Sequence, residues 1–238
     1  MKLITRTEDL ITGEKELEHL HTIKSYPVLM GCINQPEDED LRAEQSWVIS
    51  KKSGIIQLKH LVPLDILYGN HHNSGAIGKT WMEHHQKLAE FIQQYKPRNV
   101  LEIGGAHGIL SKKCNEISNT KWTIIEPNPN PIKGCKAKFI KGFFNSSFIA
   151  NENYDTIVHS HLIEHLYNPL EFFKALSNTT KTGQKLIFSL PNLNEMLRRK
   201  YTNCLNFEHT YFITEPLLNY LLTKYCFRII EKKYFRSD

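Results

Sequence analysis

Three stretches of the chain carry residue types whose spacing suits chemistry. The first is Glu102-Ile103-Gly104-Gly105-Ala106-His107-Gly108. Glycines let a backbone bend sharply and approach a ligand without a Cβ in the way. Glu126, followed by Pro127 and Asn128, closes the apolar run Trp122-Thr123-Ile124-Ile125. A carboxylate at that place accepts hydrogen bonds from both ribose hydroxyls of an adenosine, and Asn128 stands close enough in sequence to assist. The second stretch is His159-Ser160-His161-Leu162-Ile163-Glu164-His165-Leu166, and the third is Asn206-Phe207-Glu208-His209-Thr210-Tyr211-Phe212. An imidazole has an ordinary pKa of about 6.5 and takes a hydroxyl proton near neutral pH, with a neighbouring carboxylate to orient it. His209 beside Glu208 therefore reads as a general base or a substrate ligand, against the alternative of a satisfied surface histidine.

These stretches need elements to position them. Thr80–Tyr95 places Trp81, His85, Leu88, Ile92 and Tyr95 on one helical face, and Pro97 stops it. Asn99–Ile103 reads as a buried parallel strand that ends at glycine. A helix follows with Ile109, Leu110, Cys114 and Ile117 turned inward. Further strands are expected at Trp122–Ile125, Lys138–Ile140, Tyr154–Val158 and Lys185–Leu190. Helices are expected at Leu170–Leu176 and Glu215–Lys224, and a last strand at Phe227–Lys232. Alternating β and α elements at this spacing imply a doubly wound, mostly parallel α/β sheet. Ligands of such sheets bind outside the carboxyl ends of the strands, where the strand order reverses. Residues 1–75 have a different texture, with short apolar runs, turn signals and the acidic patch Glu37-Asp38-Glu39-Asp40. They read as a small irregular module ahead of a catalytic domain at 76–238.

Composition narrows the field. The chain has 238 residues, 40% hydrophobic and 23% charged, which suits a packed core. A net charge of +5 suits an anionic small substrate and is weak for a nucleic-acid binder. The opening Met1-Lys2-Leu3-Ile4-Thr5-Arg6 has charges where a signal peptide needs an apolar run, and no stretch approaches a membrane span. Five cysteines without a C-x-x-C pair read as reduced thiols. The expectation is a cytoplasmic protein.

The glycine spacing excludes the G-x-G-x-x-G dinucleotide fingerprint. The bend, with an acidic residue two positions ahead of it, instead resembles the first motif of class I methyltransferases. That resemblance implies a Rossmann-like fold and S-adenosyl-L-methionine as cofactor, with S-adenosyl-L-homocysteine as product. It implies that Glu102 and Gly104–Gly108 (Gly104, Gly105, Ala106, His107, Gly108) meet the methionyl end and that Glu126, Pro127 and Asn128 meet the ribose. Gly142, Phe143 and Phe144 would flank the adenine, with a core position as the alternative for each phenylalanine. Glu102 is alternatively a cap on the turn's amides. The run Glu164-His165 resembles the "EH" motif after the fourth strand of many small-molecule methyltransferases. His161 would then line the methyl site, and His165 would shape the substrate or serve the turn.

More widely, the chain is similar to sugar C-methyltransferases acting on nucleotide-linked deoxysugars, shortened at the C-terminus. Their N-terminal zinc module has C-x-x-C-G ahead of V-Q-L. Here Ser50-Lys51-Lys52-Ser53-Gly54-Ile55-Ile56-Gln57-Leu58 has serines where the thiolates belong, so no metal is expected. The Leu64–Tyr68 segment and the His71-His72 loop match the family's lid-like part, which brings Tyr68 and His72 toward cofactor or substrate. Glu208-His209 resembles the family's Y-x-E-H motif, with Asn206 in place of its tyrosine. That departure makes O-methylation of a sugar, nucleotide-linked or phosphorylated precursor of a surface polysaccharide the leading expectation. C-methylation, a nucleic-acid methyltransferase and an inactive binding module are the alternatives. The acceptor is expected to be a small molecule; the sequence leaves open what pairs with the edge of the last strand, a second subunit in a homodimer being one possibility.

Overall fold

The computed structural model describes residues 1–29, 36–69 and 78–235. In chain order the elements are β1 (Ile4–Thr5), β2 (Leu17–Pro27), β3 (Arg42–Ser50), β4 (Ile56–Leu58), β5 (His60–Leu61), α1 (Leu64–Leu67), α2 (Lys79–Gln93), β6 (Asn99–Ile103), α3 (Ile109–Ile117), β7 (Lys121–Glu126), β8 (Lys138–Lys141), β9 (Thr156–Ser160), α4 (Pro169–Thr179), β10 (Lys185–Ser189), α5 (Leu193–Arg198), β11 (Tyr211–Phe212) and α6 (Glu215–Lys224). A turn of 3-10 helix covers Ile163–His165. The chain folds into two compact units, each made of several segments. One holds Met1–Gly75, Ile163–Leu170 and Pro191–Leu221; the other holds Ala76–Leu162, Glu171–Leu190 and Leu222–Asp238.

The second of these units is the expected α/β sheet. Five strands lie in the order β10-β9-β6-β7-β8, all paired in parallel. The first strand of the set is central. The chain winds outward through β7 and β8, then reverses to β9 and β10, so the switch point lies between β6 and β9. Crossovers of one hand therefore place helices on both faces. Buried Leu88, Ala89 and Ile92 of α2 pack with Leu110 and Cys114 of α3 on Val100, Trp122, Ile124, Val158 and Ile187 of the sheet. Every residue from Val100 to Ile103 is buried, as a strand covered on both faces requires.

Three expectations for this unit are corrected. The fourth strand runs Thr156–Ser160, later than Tyr154–Val158, because Asp155 turns its carboxylate back onto the amides of Arg98 and Asn99 and holds the lead-in. Ile117 ends α3 on the outside, 47% exposed. Phe227–Lys232 forms no strand. Its β-branched pair Ile229-Ile230 gave the pattern, but a strand needs a ladder partner, and Cys226 leaves α6 with φ +64. The strand edge for which a second subunit was one possible partner is therefore absent among the described residues.

The other unit is more regular than its sequence suggests. β11-β4-β3-β2 form a four-stranded antiparallel sheet, and β1 pairs with β5. Its core is Val28, Trp47, Leu58, Leu61, Val62, Leu67 and Phe207. β2 escapes a sequence reading because it is mostly exposed and irregular between His19 and His21 and between Ile23 and Tyr26. Each bulge resets the alternation that marks a strand. The serines at the zinc-module positions also have work. Asp9, 1% exposed, accepts from Ser53 Oγ at 2.6 Å and from the amides of Ile11 at 2.7 Å and Thr12 at 3.1 Å. Burial pushes the Asp9 carboxyl up, but these bonds and one from Ser50 outweigh it and hold the group below its usual range. A carboxylate and hydroxyls thus close the turn after β3.

Candidate active site

The glycine bend joins β6 to α3. Gly104 N–H continues the ladder to Ile125 O at 2.9 Å, and Gly108 N–H returns to Gly105 O at 2.8 Å. Gly105 sits directly on the sheet. A Cβ there would lie 2.7 Å from Glu102 Cδ and 2.8 Å from Ile124 Cγ2. Gly108 adopts φ +73, and its Cβ would meet Cys135 Sγ at 2.5 Å. The bend is tied to the end of β7. Ala106 N–H donates to Glu126 Oε2 at 3.0 Å, and Asn128 N–H donates to Glu126 Oε1 at 3.1 Å. His107 Nδ1 donates to Asn130 O at 2.9 Å. A carboxylate has about four lone-pair sites, so both Glu126 oxygens keep acceptor capacity.

Glu102 lies beneath the bend. It is 3% exposed, and Trp122 Nε1 donates to its Oε2 at 2.7 Å. Burial, set against that bond and reinforced by Glu126, raises its pKa to about 7. Glu102 therefore neither caps the amides of the turn nor opens toward a ligand. It is the floor on which Gly105 rests.

At the ends of β9 and β10, Ser160 and Ser189 face each other with oxygens 2.9 Å apart. His84 Nε2, from α2, lies 3.1 Å from Ser160 Oγ and 3.2 Å from Ser189 Oγ. His161 follows with φ +49, its N–H on Ser189 O. Its ring meets Trp81 and His84 edge to face, centroids 5.0 and 4.9 Å apart. His85 is buried beside them, and burial first, then His161, lowers its pKa to about 4. The sequence reading took α2 only as a core helix. The missed signal is that Trp81, His84 and His85 are three and four apart and share a face.

The remaining candidates gather in the unit that contains residues 1–75. Tyr68 OH lies 3.0 Å from His165 Nδ1, and Glu208 Oε2 lies 3.6 Å from the same nitrogen. On the other side, Glu164 Oε1 is 3.9 Å from His165 Nε2. The His209 ring stands edge-on to His165, centroids 5.1 Å apart. Burial raises the Glu208 pKa to about 7. Several bonds lock the two segments together. Thr210 N–H donates to Glu164 O at 2.9 Å, and Tyr211 OH to Ile163 O at 2.7 Å. Arg6, 9% exposed, donates to Thr210 O at 2.7 Å and Tyr167 O at 2.9 Å. Hydrogen bonds from a charged group contribute roughly 1.5–3 kcal/mol each, which offsets the burial that lowers its pKa to about 10. Asn206 has a role of its own: its Oδ1 accepts from His209 N–H at 2.7 Å and shapes the turn. Nothing in the sequence pointed to Arg6, which lies 204 positions from Thr210.

The methyltransferase domain family matches residues 75–232. The chain belongs to this family. No curated protein matches the chain. Among solved structures it is similar to an O-methyltransferase family protein from Burkholderia thailandensis, 11% identical with a TM-score of 0.50, covering 64% of this chain and 52% of that one. It is also similar to the plantazolicin methyltransferase BpumL in complex with SAH, 18% identical with a TM-score of 0.46, covering 60% of this chain and 62% of that one. A SAM dependent methyltransferase from Archaeoglobus fulgidus is 20% identical with a TM-score of 0.46, covering 60% of this chain and 69% of that one. The chain thus spans 62% of the plantazolicin enzyme and 52% of the Burkholderia protein. The likeness to the Burkholderia protein is one of fold.

Within this methyltransferase domain, Gly104–Gly108, Glu126, Pro127 and Asn128 come together at the switch-point end of the sheet. Gly142 N–H bonds to Glu126 O at 3.0 Å, which brings the end of β8 alongside. Phe143 is 51% exposed, whereas Phe144 is half-buried against the rings of Phe148 and Phe172. Tyr68 lies with His165, Glu208 and His209 in the unit that contains residues 1–75. His72 lies outside the described residues. No helix among the described residues is long and apolar enough to cross a membrane.

Proposed function

We propose that this chain transfers a methyl group from S-adenosyl-L-methionine to an oxygen of a small polar acceptor, a sugar or a nucleotide-linked or phosphorylated sugar precursor. The observation that carries the reading is the Glu126 carboxylate held against the glycine bend by Ala106 and Asn128. The residues fit the cofactor: Glu126, tied to the bend, retains acceptor sites for a ribose diol. The cofactor supplies an electrophilic methyl on a sulfonium. Gly104–Gly108 take its amino-acid end, Glu126 its ribose, and Gly142 and Phe143 the side of its base. His161 lines the end of β9 where the sulfonium belongs.

Methyl transfer from a sulfonium asks chiefly for alignment and removal of a proton. Glu208, His165 and His209 are the residues we assign to the acceptor, because a carboxylate paired with an imidazole orients it for a hydroxyl. Oxygen methylation needs one proton acceptor, whereas carbon methylation through an enolate needs an acid and a base. Asn206 is committed to its own turn, which favours oxygen. Calorimetry with S-adenosyl-L-homocysteine tests the cofactor, and labelled methyl transfer to pooled nucleotide sugars tests the acceptor. Absence of binding heat, with no label transferred, removes the proposal.

A further inference from the structure

Glu164, His165 and His209 each offer a ligand atom, and these atoms lie within 4.8 Å of one another. We propose that they form a divalent-cation site of the zinc class, with a Glu164 carboxylate oxygen, His165 Nε2 and one His209 ring nitrogen as ligands. Two imidazoles and one carboxylate are the donor set that zinc-like ions take, and three protein ligands leave a position open for water or substrate. The sequence expectation of no metal came from the serines at 50 and 53, which lie elsewhere in the unit.

Ligands about 2.0 Å from a tetrahedral ion stand about 3.3 Å apart; Glu164 Oε1 and His165 Nε2 are 3.9 Å apart, and the three ligand atoms lie within 4.8 Å of one another. Side-chain rotations close that gap when an ion binds. The opposite nitrogen of His165 already has its outer partners, Tyr68 OH at 3.0 Å and Glu208 Oε2 at 3.6 Å. A hydrogen-bonding partner behind a ligating imidazole, here the Tyr68 hydroxyl, holds its orientation. The frame is fixed by the Thr210, Tyr211, Asn206 and Arg6 bonds described above. A cavity of about 20 Å³, bordered by Glu164, His209, Met196, Cys204, Tyr211 and Ile213, leaves space for about one water at the open position.

This assignment deepens the acceptor role proposed above and rests on it for function, though not for binding. With the ion in place, His165 and His209 act as ligands and not as bases. An acceptor hydroxyl would displace the water at the open position, where a cation makes it more acidic, and its proton would pass to solvent.

The test uses the full chain, stripped of metal and titrated with Zn²⁺, with Co²⁺ as a spectroscopic substitute. The expected result is one equivalent bound at micromolar affinity or tighter and a visible Co²⁺ spectrum of low symmetry. His209→Ala and Glu164→Gln each weaken binding at least about 100-fold, or about 2.7 kcal/mol, while Glu208→Gln weakens it roughly 10-fold. Where a variant does not fold, the wild type decides: Zn²⁺ raises its Tm and a chelator returns it. No Zn²⁺ bound by the wild type at about 100 μM, or unchanged binding in folded His209→Ala and Glu164→Gln, overturns the proposal. Zinc binding without S-adenosyl-L-homocysteine binding removes the methyl-transfer reading and keeps the cation site; the reverse result removes the site and keeps the reading.

Discussion

Replacing Gly105 by alanine is the sharpest single perturbation of the cofactor bend. The added Cβ arrives 2.7 Å from Glu102 Cδ and 2.8 Å from Ile124 Cγ2. Comfortable carbon contacts begin near about 3.5–4.0 Å, so about 1 Å of relief is needed. Glu102 is pinned by Trp122 at 2.7 Å, and Ile124 is fully buried, so the bend moves instead. Overpacking of this size costs about 1–3 kcal/mol, a fall in Tm of roughly 2–12 °C for a chain of this length. Lifting the bend also separates Ala106 N–H from Glu126. A displacement of about 1 Å at a ligand's backbone contacts costs on the order of 100-fold in affinity, or about 2.7 kcal/mol. Isothermal titration of folded Gly105→Ala with S-adenosyl-L-homocysteine reads this directly, with circular dichroism confirming the fold. Affinity within about twofold of wild type refutes the argument that this glycine is there to seat the bend.

Three further outcomes follow from buried titratable groups. Asp9→Ala removes a carboxylate that accepts from Ser53, Ile11 and Thr12, so chemical denaturation should show a loss of about 2–4 kcal/mol; a change below about 0.5 kcal/mol contradicts that role. His85 holds a pKa of about 4 when folded, so the unfolded chain alone takes its proton between pH 6.5 and 4. Stability should therefore fall with acid across that window, by on the order of 3 kcal/mol. His85→Leu should flatten the profile there, and an unaltered profile counts against the assignment. Glu102 has the opposite sign, since its folded pKa is raised to about 7 and stability drains away as pH rises from about 4.5 to above 7. Glu102→Gln keeps an acceptor for Trp122 and should stabilise the protein at pH 8 by roughly 1–3 kcal/mol; destabilisation at that pH shows that the ionised carboxylate is tolerated.

The α/β sheet was legible because a strand buried on both faces writes itself as a continuous apolar run. Asn99–Ile103 and Trp122–Ile125 do so within a residue of their observed ends. The glycine bend was legible for a local reason as well: Gly105 and Gly108 are dictated by contacts within a few residues and by neighbouring strands. The antiparallel sheet was not legible. β2 spends its length half in solvent with two irregularities, and its register is set by β3 across a long connection. Nor does local sequence show that Arg6 binds Thr210 and Tyr167, or that Tyr68 meets His165, because these pairs are joined only by tertiary folding. Phe227–Lys232 shows the converse error. Its β propensity is real, but propensity alone supplies no partner strand.

A crystal structure of the full chain with S-adenosyl-L-homocysteine bears most directly on the account. It should show the ribose hydroxyls on the Glu126 carboxylate and the homocysteine moiety along Gly104–Gly108. A nucleoside bound elsewhere, or a Glu126 whose oxygens meet only Ala106 and Asn128 in the complex, contradicts it.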